Sequence, residues 1–471
     1  MHAPQSLFEK IWRQHHIADL GEGAALLHID RIFLHERTGS IALETLASAG
    51  RKVRHPELAF CTMDHIVDTF PGRGNNTRVP GGDAFIKSTR IATRNARIQL
   101  FDIADPRQGI VHVISPELGI VLPGLTLVCP DSHTCTQGAL GALAWGIGSS
   151  DAEHALATQT LRVTKPATMR VAFNGTLQAG VTAKDMILYL IAKYSASGGK
   201  GCAVEFTGMA VQKLSLEARL TLCNMAVEFS AFTGIIAADD VVFNYLAGRP
   251  YAPKPAAWDS AVAAWRDLKS DDGAIFEYEI SLDCADIAPM VTWGTSPQHA
   301  VSVNAVVPTV EETVSTDTRQ SMARAYAYMG LSPGERLADL KIDAAFIGSC
   351  TNSRLSDLRA AAALLKGRKV AVGVTAICVP GSSQVKRDAE AEGIDIIFKE
   401  AGFEWRESGC SMCFYAGGES FDFQQRVIST TNRNFESRQG PETRTHLASP
   451  VTVAASAIAG HIADPRLLVA N

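Results

Sequence analysis

The sequence predicts an α/β protein whose layers contain largely parallel sheets. Two observations predict this class: apolar, strand-like runs alternate along the chain with helical stretches, and several of the runs end in short polar loops at glycine or proline. Loops of that kind follow the strands of open α/β sheets, which is where such sheets bind their ligands. With 471 residues, of which 46% are apolar and 20% charged, the chain is long enough for two or three domains.

Individual elements follow from the same patterns. The strand-like runs are residues 110–130, 341–350, 369–380 and 394–402. The helical stretches are residues 151–163 and 354–367, and Thr182 with Asp185 has the pattern of a capping box that opens another helix. Residues 247–262, rich in proline and alanine, are expected to be a surface linker that precedes ordered structure at AIFEYEISL.

Composition excludes several classes of protein. The formal net charge of −5 is small for this length, and no run of Lys and Arg tracks a phosphate backbone, so nucleic acid is not an expected partner. The N-terminus lacks the basic and apolar regions of a signal peptide, and no stretch approaches about 18 uninterrupted apolar residues. We therefore expect a cytoplasmic protein that does not enter a membrane.

Three of the ten cysteines lie in motifs typical of metal ligands. Cys410 and Cys413 form a Cys-x-x-Cys pair between glycines, and Cys350 ends a buried strand just before a helix. The positive end of that helix dipole favours the thiolate, and reducing conditions make a disulfide framework unexpected. Three thiolates without a fourth ligand indicate an iron–sulfur cluster with one open iron, although a Cys₃His zinc site is also consistent with the count.

The chain resembles the aconitase family over nearly its whole length. The motifs are GSCTNSR around Cys350, GCSMC around Cys410 and Cys413, and STTNRNFESRQG at 429–440, with further blocks at 29–38, 63–65, 107–119, 131–154, 223–228, 379–385 and 445–450. The resemblance implies the three-domain aconitase-like architecture, with approximate boundaries at 1–175, 176–305 and 306–471. Its branch that isomerises 2-isopropylmalate and 3-isopropylmalate in leucine biosynthesis is the most similar one.

By this resemblance, Cys350, Cys410 and Cys413 hold one 4Fe-4S cluster whose fourth iron is open to the substrate. An open position is what a metal that acts as a Lewis acid requires. Asn352 and Asn432 are expected to contact the cluster or the substrate.

The same resemblance implies proton-transfer and substrate-binding residues. The expected catalytic residues are three pairs, namely Asp64 with His65, His112 with Asp131, and His133 with Glu228. A carboxylate beside an imidazole fixes its tautomer and adjusts its pKa, which suits proton transfer to a leaving hydroxide. The expected substrate-binding residues are His35, Ser132, Arg433 and Arg438, the arginines because a guanidinium binds a carboxylate in a bidentate manner.

One requirement of the reaction has no match in the sequence. Family members that hold the complete enzyme in one chain carry a further C-terminal swivelling domain, whose serine is the base for the carbon-bound proton. This sequence stops at GHIADPRLLVAN, soon after the cysteine motifs. We therefore expect a large subunit whose partner, a small swivel-domain subunit, supplies the base and part of the pocket in a heterodimer.

The sequence leaves the substrate open. Pro130 and Gln137 depart from the residues usual in the isopropylmalate branch. A hydratase for a smaller acid, such as 2-methylmalate or citraconate, or an aconitase-like enzyme is the alternative. A non-enzymatic iron or oxygen sensor is a further one, and the absence of a basic patch argues against it.

Overall fold

A computed structural model describes residues 3–309 and 316–469. The strands are β1 His16–Gly21, β2 Ala24–His28, β3 Arg31–His35, β4 Ala59–Thr62, β5 Gln99–Phe101, β6 Thr126–Cys129, β7 Leu143–Gly146, β8 Thr160–Thr164, β9 Ala167–Asn174, β10 Cys202–Thr207, β11 Thr233–Ile235, β12 Tyr278–Asp283, β13 Met290–Thr292, β14 Ala300–Ser302, β15 Ala344–Ile347, β16 Thr375–Cys378, β17 Phe403–Trp405, β18 Arg426–Ser429 and β19 Arg444–Leu447. Within the described ranges, every helix is too short or too polar to cross a membrane.

The helices lie between these strands. They are α1 Leu7–His15, α2 Gly39–Ser48, α3 Gly82–Ala96, α4 Val111–Glu117, α5 Ser149–Thr158, α6 Ala183–Tyr194, α7 Met209–Lys213, α8 Leu216–Asn224, α9 Asp240–Leu246, α10 Pro255–Arg266, α11 Thr316–Met329, α12 Leu355–Leu365, α13 Ser383–Ala391, α14 Ile394–Ala401, α15 Pro450–Ala459 and α16 Arg466–Val469. The alternation of helices with parallel strands confirms the predicted α/β class.

The chain divides into two compact units. The first consists of Met1–Val67, Gly81–Gly175 and Gly199–Asp283, and the second of Asp68–Pro80, Thr176–Gly198 and Cys284–Asn471. Each unit is therefore built from several segments of the chain. The finer division into three domains stays a prediction.

A five-stranded parallel sheet in the order β5-β4-β3-β6-β7 forms the centre of the first unit. Strand β3 shows that apolar side chains cover both faces of this sheet. Its Ile32 and Leu34 belong to one buried apolar cluster, whereas Phe33 between them belongs to another on the opposite face. A parallel sheet with two buried faces reads as a continuous apolar run, which is the pattern of this strand.

The first unit contains two smaller sheets. Strands β11, β10, β9 and β12 form a parallel sheet in that order. Strands β1, β2 and β8 form an antiparallel sheet in which β2 is central. The prediction of largely parallel sheets is thus confirmed, with local antiparallel additions.

A second five-stranded parallel sheet, in the order β17-β16-β15-β18-β19, forms the centre of the second unit. Its buried apolar cluster includes Phe346 of β15 and Val427 of β18, and also Met412 from the Cys-x-x-Cys segment. The antiparallel pair β13-β14 belongs to the same unit. Because Met412 is only 1% exposed, the segment between Cys410 and Cys413 is anchored in this core.

The predicted capping box is present at the start of α6. Asp185 accepts hydrogen bonds from the backbone N–H of Thr182 at 2.7 Å and from its hydroxyl at 2.8 Å. Helix α12 also begins where the sequence predicted, just after the Cys350 motif.

Two strand predictions are wrong, because the residues form helices. Residues 394–402 form α14, since the buried Ile394, Phe398 and Ala401 recur at helical spacing. Glycines with positive φ, 72° at Gly393 and 107° at Gly402, bracket that helix. Part of 110–130 forms α4, in which the consecutive residues 111–116 are all buried. Because these residues include no exposed polar face, the sequence of this helix cannot be told from that of a buried strand.

Two further predictions need correction. Helix α5 ends at Thr158, and Thr160–Thr164 is instead strand β8, paired with β2. Gln159 adopts a left-handed conformation with φ 54°, which ends the helix. The predicted linker is not irregular throughout, because α10 begins at Pro255, a residue suited to the first turn of a helix.

Candidate active site and metal centre

Histidine and carboxylate side chains gather at the carboxyl end of the central sheet in the first unit. We call them the histidine–carboxylate cluster, which consists of His35, Glu36, Asp64, His65, His112, Asp131, His133 and Glu228. His35 ends β3, Asp64 follows β4 and Asp131 follows β6. Strands β4 and β5 lie on one side of β3, and the later strands β6 and β7 lie on the other. Open α/β sheets bind ligands at such a change of side, here between β3 and β6.

His65 lies between two carboxylates. Its Nδ1 is 2.6 Å from Asp64 Oδ1, and its Nε2 is 3.2 Å from Asp131 Oδ2. The other oxygen of Asp64 accepts the backbone N–H of Val111 at 3.1 Å, which fixes the carboxylate. Burial alone would raise the pKa of Asp64, but the neighbouring His65 reverses this and lowers it.

Asp131 links three of the histidines. His112 Nε2 lies 3.0 Å from Asp131 Oδ1, and the backbone N–H of His133 donates to the same oxygen at 2.8 Å. Burial raises the pKa of Asp131, yet the attraction of His112, His133 and His65 outweighs burial and brings it well below its usual range. Asp131 is therefore held as a carboxylate among these three histidines.

The third predicted pair is also in contact. His133 Nε2 lies 3.0 Å from Glu228 Oε1. The hydroxyl of Ser132, beside it in sequence, lies 3.4 Å from His133 Nδ1. All three pairs named from the sequence are thus within reach for sharing a proton.

His35 stacks on His65, with ring centroids 4.2 Å apart. Its Nε2 is 3.1 Å from the carbonyl oxygen of Pro130. Burial, followed by the charge of His65, lowers the pKa of His35 to about 4. His35 is therefore a neutral ring at ordinary pH, suited to hydrogen bonding rather than to carrying charge.

Glu36 belongs to the cluster, and the sequence analysis missed it. Its carboxylate accepts three backbone N–H groups, those of Asp64 at 3.1 Å, His65 at 2.7 Å and Ile66 at 2.5 Å. Burial and the nearby Asp64 raise the pKa of Glu36 against the opposing effect of these donors. Its position in LHERT, directly after a buried strand and beside His35, was the available signal.

His35, Glu36, Asp64 and His65 offer ligand atoms within 4.8 Å of one another. The carboxylate oxygens of this group are already used, since Glu36 accepts backbone donors and Asp64 accepts His65 and Val111. The arrangement therefore favours holding and moving protons over binding a cation.

The three predicted cysteine ligands, which we call the cysteine set, lie at the carboxyl end of the central sheet in the second unit. Cys350 follows β15, while Cys410 and Cys413 follow β17, Cys410 just before the single turn Ser411–Cys413 and Cys413 as its last residue. All three are nearly buried, at 5%, 3% and 7% exposure. No disulfide involves any of the ten cysteines, each of which is in a described part of the chain.

Hydrogen-bond donors surround these sulfurs. Ser349 Oγ lies 3.1 Å from Cys413 Sγ, and Asn432 Nδ2 donates to Cys350 Sγ at 3.4 Å. Arg438 Nη2 is 3.9 Å from Cys413 Sγ. Donors aimed at sulfur stabilise thiolates and adjust the properties of an iron–sulfur cluster.

The surroundings of the cysteine set fit a bound group. Among the residues that the structure describes, buried polar atoms without a hydrogen-bond partner include Asn432 Oδ1 and Arg438 Nε. Such atoms ordinarily have a partner, so they point to a ligand. Ser349 and Ser411, each next to a cysteine, adopt left-handed φ values of 76° and 47°, which is backbone strain of the kind found at functional sites.

The remaining predicted residues lie in the same unit. Asn352 donates to Asp357 at 2.9 Å, at the start of α12. Arg438 packs over the rings of Phe414 and Phe435, with centroid distances of 5.8 and 5.0 Å. Arg433 follows Asn432 directly, and its carbonyl oxygen accepts the Thr431 hydroxyl at 3.4 Å.

Known proteins resemble this chain over nearly its whole length. The model of the aconitase family (aconitate hydratase) matches residues 9–460. The 3-isopropylmalate dehydratase large subunit 1 of Bradyrhizobium diazoefficiens is 53% identical over 98% of this chain and 97% of its own length. The 3-isopropylmalate dehydratase large subunit of Roseiflexus castenholzii is 50% identical over 99% of this chain and 100% of its own length. The chain belongs to the aconitase family.

Proposed function

We propose that this chain is the large subunit of a hydro-lyase that interconverts 2-isopropylmalate and 3-isopropylmalate by dehydration and rehydration. The observation that carries the proposal is similarity over nearly the full length to two relatives named for that activity. The motifs of the cysteine set and of the histidine–carboxylate cluster lie inside the matched region. The product of this activity belongs to leucine biosynthesis.

Membership of the aconitase family implies a 4Fe-4S cluster. We propose that Cys350, Cys410 and Cys413 are its protein ligands and that one iron has none. When bound, such a cluster supplies a Lewis acid that acts on the substrate hydroxyl and carboxylate. The assignment of these cysteines as ligands is supported by the polar side chains around their sulfurs, namely Ser349, Asn432 and Arg438.

The histidine–carboxylate cluster would deliver the proton that a departing hydroxide needs. Asp64 holds Nδ1–H of His65, so Nε2 is the nitrogen that exchanges a proton. Asp131, kept ionised by the surrounding imidazoles, stabilises His65 when it is protonated. In rehydration the same imidazole accepts the proton of the incoming water.

Arg433 and Arg438 would bind a substrate carboxylate. A guanidinium presents parallel N–H donors that match a carboxylate, and a lysine does not. The buried Arg438 Nε, without a partner among the described residues, is a donor of that kind. His35 and Ser132 would add neutral hydrogen-bonding groups.

We further propose that a separate small subunit supplies the base for the carbon-bound proton. Both relatives are named large subunits, which is the support for a partner. We also propose that the protein is cytoplasmic, since its ten free thiols suit a reducing compartment.

The test is anaerobic reconstitution of the chain with iron and sulfide, followed by assay alone and with candidate small subunits. The mixture should hydrate and dehydrate isopropylmalates, whereas the chain alone should be slower by about a hundredfold to ten-thousandfold, the usual cost of a missing base. Comparable turnover by the chain alone would refute the two-subunit proposal.

The same assay separates the alternatives. Malates with different 3-substituents are compared by kcat/KM, and a preference for 2-methylmalate or citraconate would replace isopropylmalate as substrate. Metal analysis separates zinc from iron. Submicromolar, salt-sensitive binding of nucleic acid by the cluster-free chain would favour a sensor.

A further inference from the structure

Lys184, the second residue of α6, is a fully buried lysine in the second unit. Lysine is almost never fully buried unless its ammonium group is paired. No local pattern marks this position, because TAKDMILYLIAKY has the pattern of an ordinary helix start.

The ammonium group of Lys184 binds two consecutive backbone carbonyls. Nζ donates to the carbonyl oxygen of Thr430 and, at 2.6 Å, to that of Thr431. These residues follow β18 and lead directly into Asn432, whose amide donates to Cys350 Sγ at 3.4 Å. Lys184 therefore fixes the loop that presents Asn432 to a cysteine of the cysteine set.

The same loop is tied to the segment that carries Cys350. The Thr430 hydroxyl accepts the backbone N–H of Gly348 at 2.9 Å and donates to the Gly348 carbonyl at 2.9 Å. A shift of the Thr430 backbone would thus move both Asn432 and the turn before Cys350.

Lys184 also faces the negative groups around the cysteines. Burial lowers its pKa to about 7, and the groups that oppose burial are, in order, Asp357, Asp185, Cys413 and Cys350. Asp357 accepts Asn352 Nδ2 at 2.9 Å and the backbone N–H of Arg354 at 3.1 Å, whereas Asp185 accepts the N–H of Met290 at 2.7 Å. The ammonium group therefore faces two buried carboxylates and, after them, two sulfurs of the cysteine set.

We propose that Lys184 is a positioning residue for the cysteine set: it holds the Asn432 loop against Cys350 and supplies a buried positive charge that stabilises the cysteine-bound cluster. This inference rests on the proposed function, because it requires a cluster on these cysteines. Charge and hydrogen bonds outside the ligand shell set how tightly a cluster is held and its reduction potential.

The test compares Lys184→Met with the wild-type chain after anaerobic reconstitution, using two measurements other than activity. Iron release to a chelator should become faster by about tenfold or more, the usual effect of losing such an outer partner. The midpoint potential of the cluster, titrated with dithionite, should become more negative because a positive charge is lost. Lys184→Arg, which keeps the charge, should have a potential close to that of the wild type.

The matched control is Lys193→Met at the exposed end of the same helix, and both measurements should stay unchanged there. Circular dichroism shows whether each variant folds. If Lys184→Met does not fold, Lys184→Gln provides the neutral comparison, since its amide still donates to a carbonyl. If neither folds, Thr430→Val decides: it cuts the tie to Gly348 and should speed iron release.

Unchanged iron release and potential in a folded neutral variant would overturn the inference, as would unchanged release in Thr430→Val. Failure of the wild-type chain to bind any iron–sulfur cluster would instead refute the proposed cofactor. The two failures are therefore distinguishable.

Discussion

The two five-stranded sheets have the same topology and carry different chemistry. Each begins with its central strand, β3 or β15, adds two strands on one side and then two on the other. In each, candidate site residues lie at the carboxyl ends of the central strand and of the first strand added on its other side, namely His35 with Asp131 and Cys350 with Asn432. The strand order thus fixes where a site forms, and the residue types in the loops fix what it does.

The electrostatics of the two sites differ accordingly. The first unit surrounds a low-pKa carboxylate, Asp131, with imidazoles, an arrangement suited to proton transfer between neighbours. The second surrounds cysteine sulfurs with hydrogen-bond donors and one buried lysine, so negative charge is held in place. One sheet architecture thus carries the residues that we propose for proton transfer in the first unit and those that we propose for metal binding in the second.

The largest effect should come from removing a metal ligand in the second unit. Cys350→Ser should abolish the cluster and the activity, because a hydroxyl is a poor ligand for soft metals. The measurement is the iron-to-protein ratio and the visible absorbance after reconstitution. Cys378→Ser, in the neighbouring strand β16, is the control and should keep its cluster. A full cluster in Cys350→Ser would remove that residue from the ligand set.

In the first unit, Asp131→Asn should reduce kcat by about a hundredfold to ten-thousandfold with normal iron content. The amide lacks the negative charge of the carboxylate that lies against His65 and His112. Asp30→Asn is the matched control, since Asp30 pairs with His15 at 2.7 Å outside the cluster. Equal losses in both variants would mean that Asp131 acts only through stability.

Arg438→Lys tests whether the second unit also binds substrate. KM should rise by about tenfold, because one ammonium replaces a bidentate contact worth roughly a few kcal/mol. Iron content should stay normal. The exposed Arg324→Lys, which pairs with Glu436, serves as the control. An unchanged KM would exclude Arg438 from substrate binding.

Glu36→Gln tests whether backbone anchoring supports the first site. An amide cannot accept all three backbone donors, so unfolding free energy should fall by about 1–3 kcal/mol. The activity should fall as well, since Asp64 and His65 lose their support. Thermal unfolding and kcat are measured together. A stable variant with full activity would show that Glu36 is dispensable.

The smallest effect at neutral pH concerns a buried histidine that belongs to neither site. Burial and Arg426 lower the pKa of His446 to about 3, and Nδ1–H donates to Thr292 at 2.6 Å. Because the unfolded state takes up a proton at a higher pH than the folded state, stability should fall as pH drops below about 6.5, by up to about 1.4 kcal/mol per pH unit. His446→Gln should show a shallower fall in urea unfolding, and an identical slope would exclude His446.

Sequence alone determined the α/β class and predicted the residues of each site. Cys350, Cys410 and Cys413 stood in motifs whose spacing suits a metal, and each proposed imidazole was matched with a carboxylate that the structure places within 3.0 Å or less. Metal ligands and helix caps can be recognised in a sequence because each requires a particular residue type at a fixed position.

Only the tertiary structure decided what lies far apart in the chain. Residues 394–402 are as apolar as a strand, and their helix depends on packing and on the flanking glycines. Glu36 anchors the backbone of Asp64–Ile66 from another strand, and Lys184 reaches carbonyls at Thr430 and Thr431. The residues that these side chains bind show no pattern in the sequence, because a side chain that binds distant backbone places no demand on the residue types it binds.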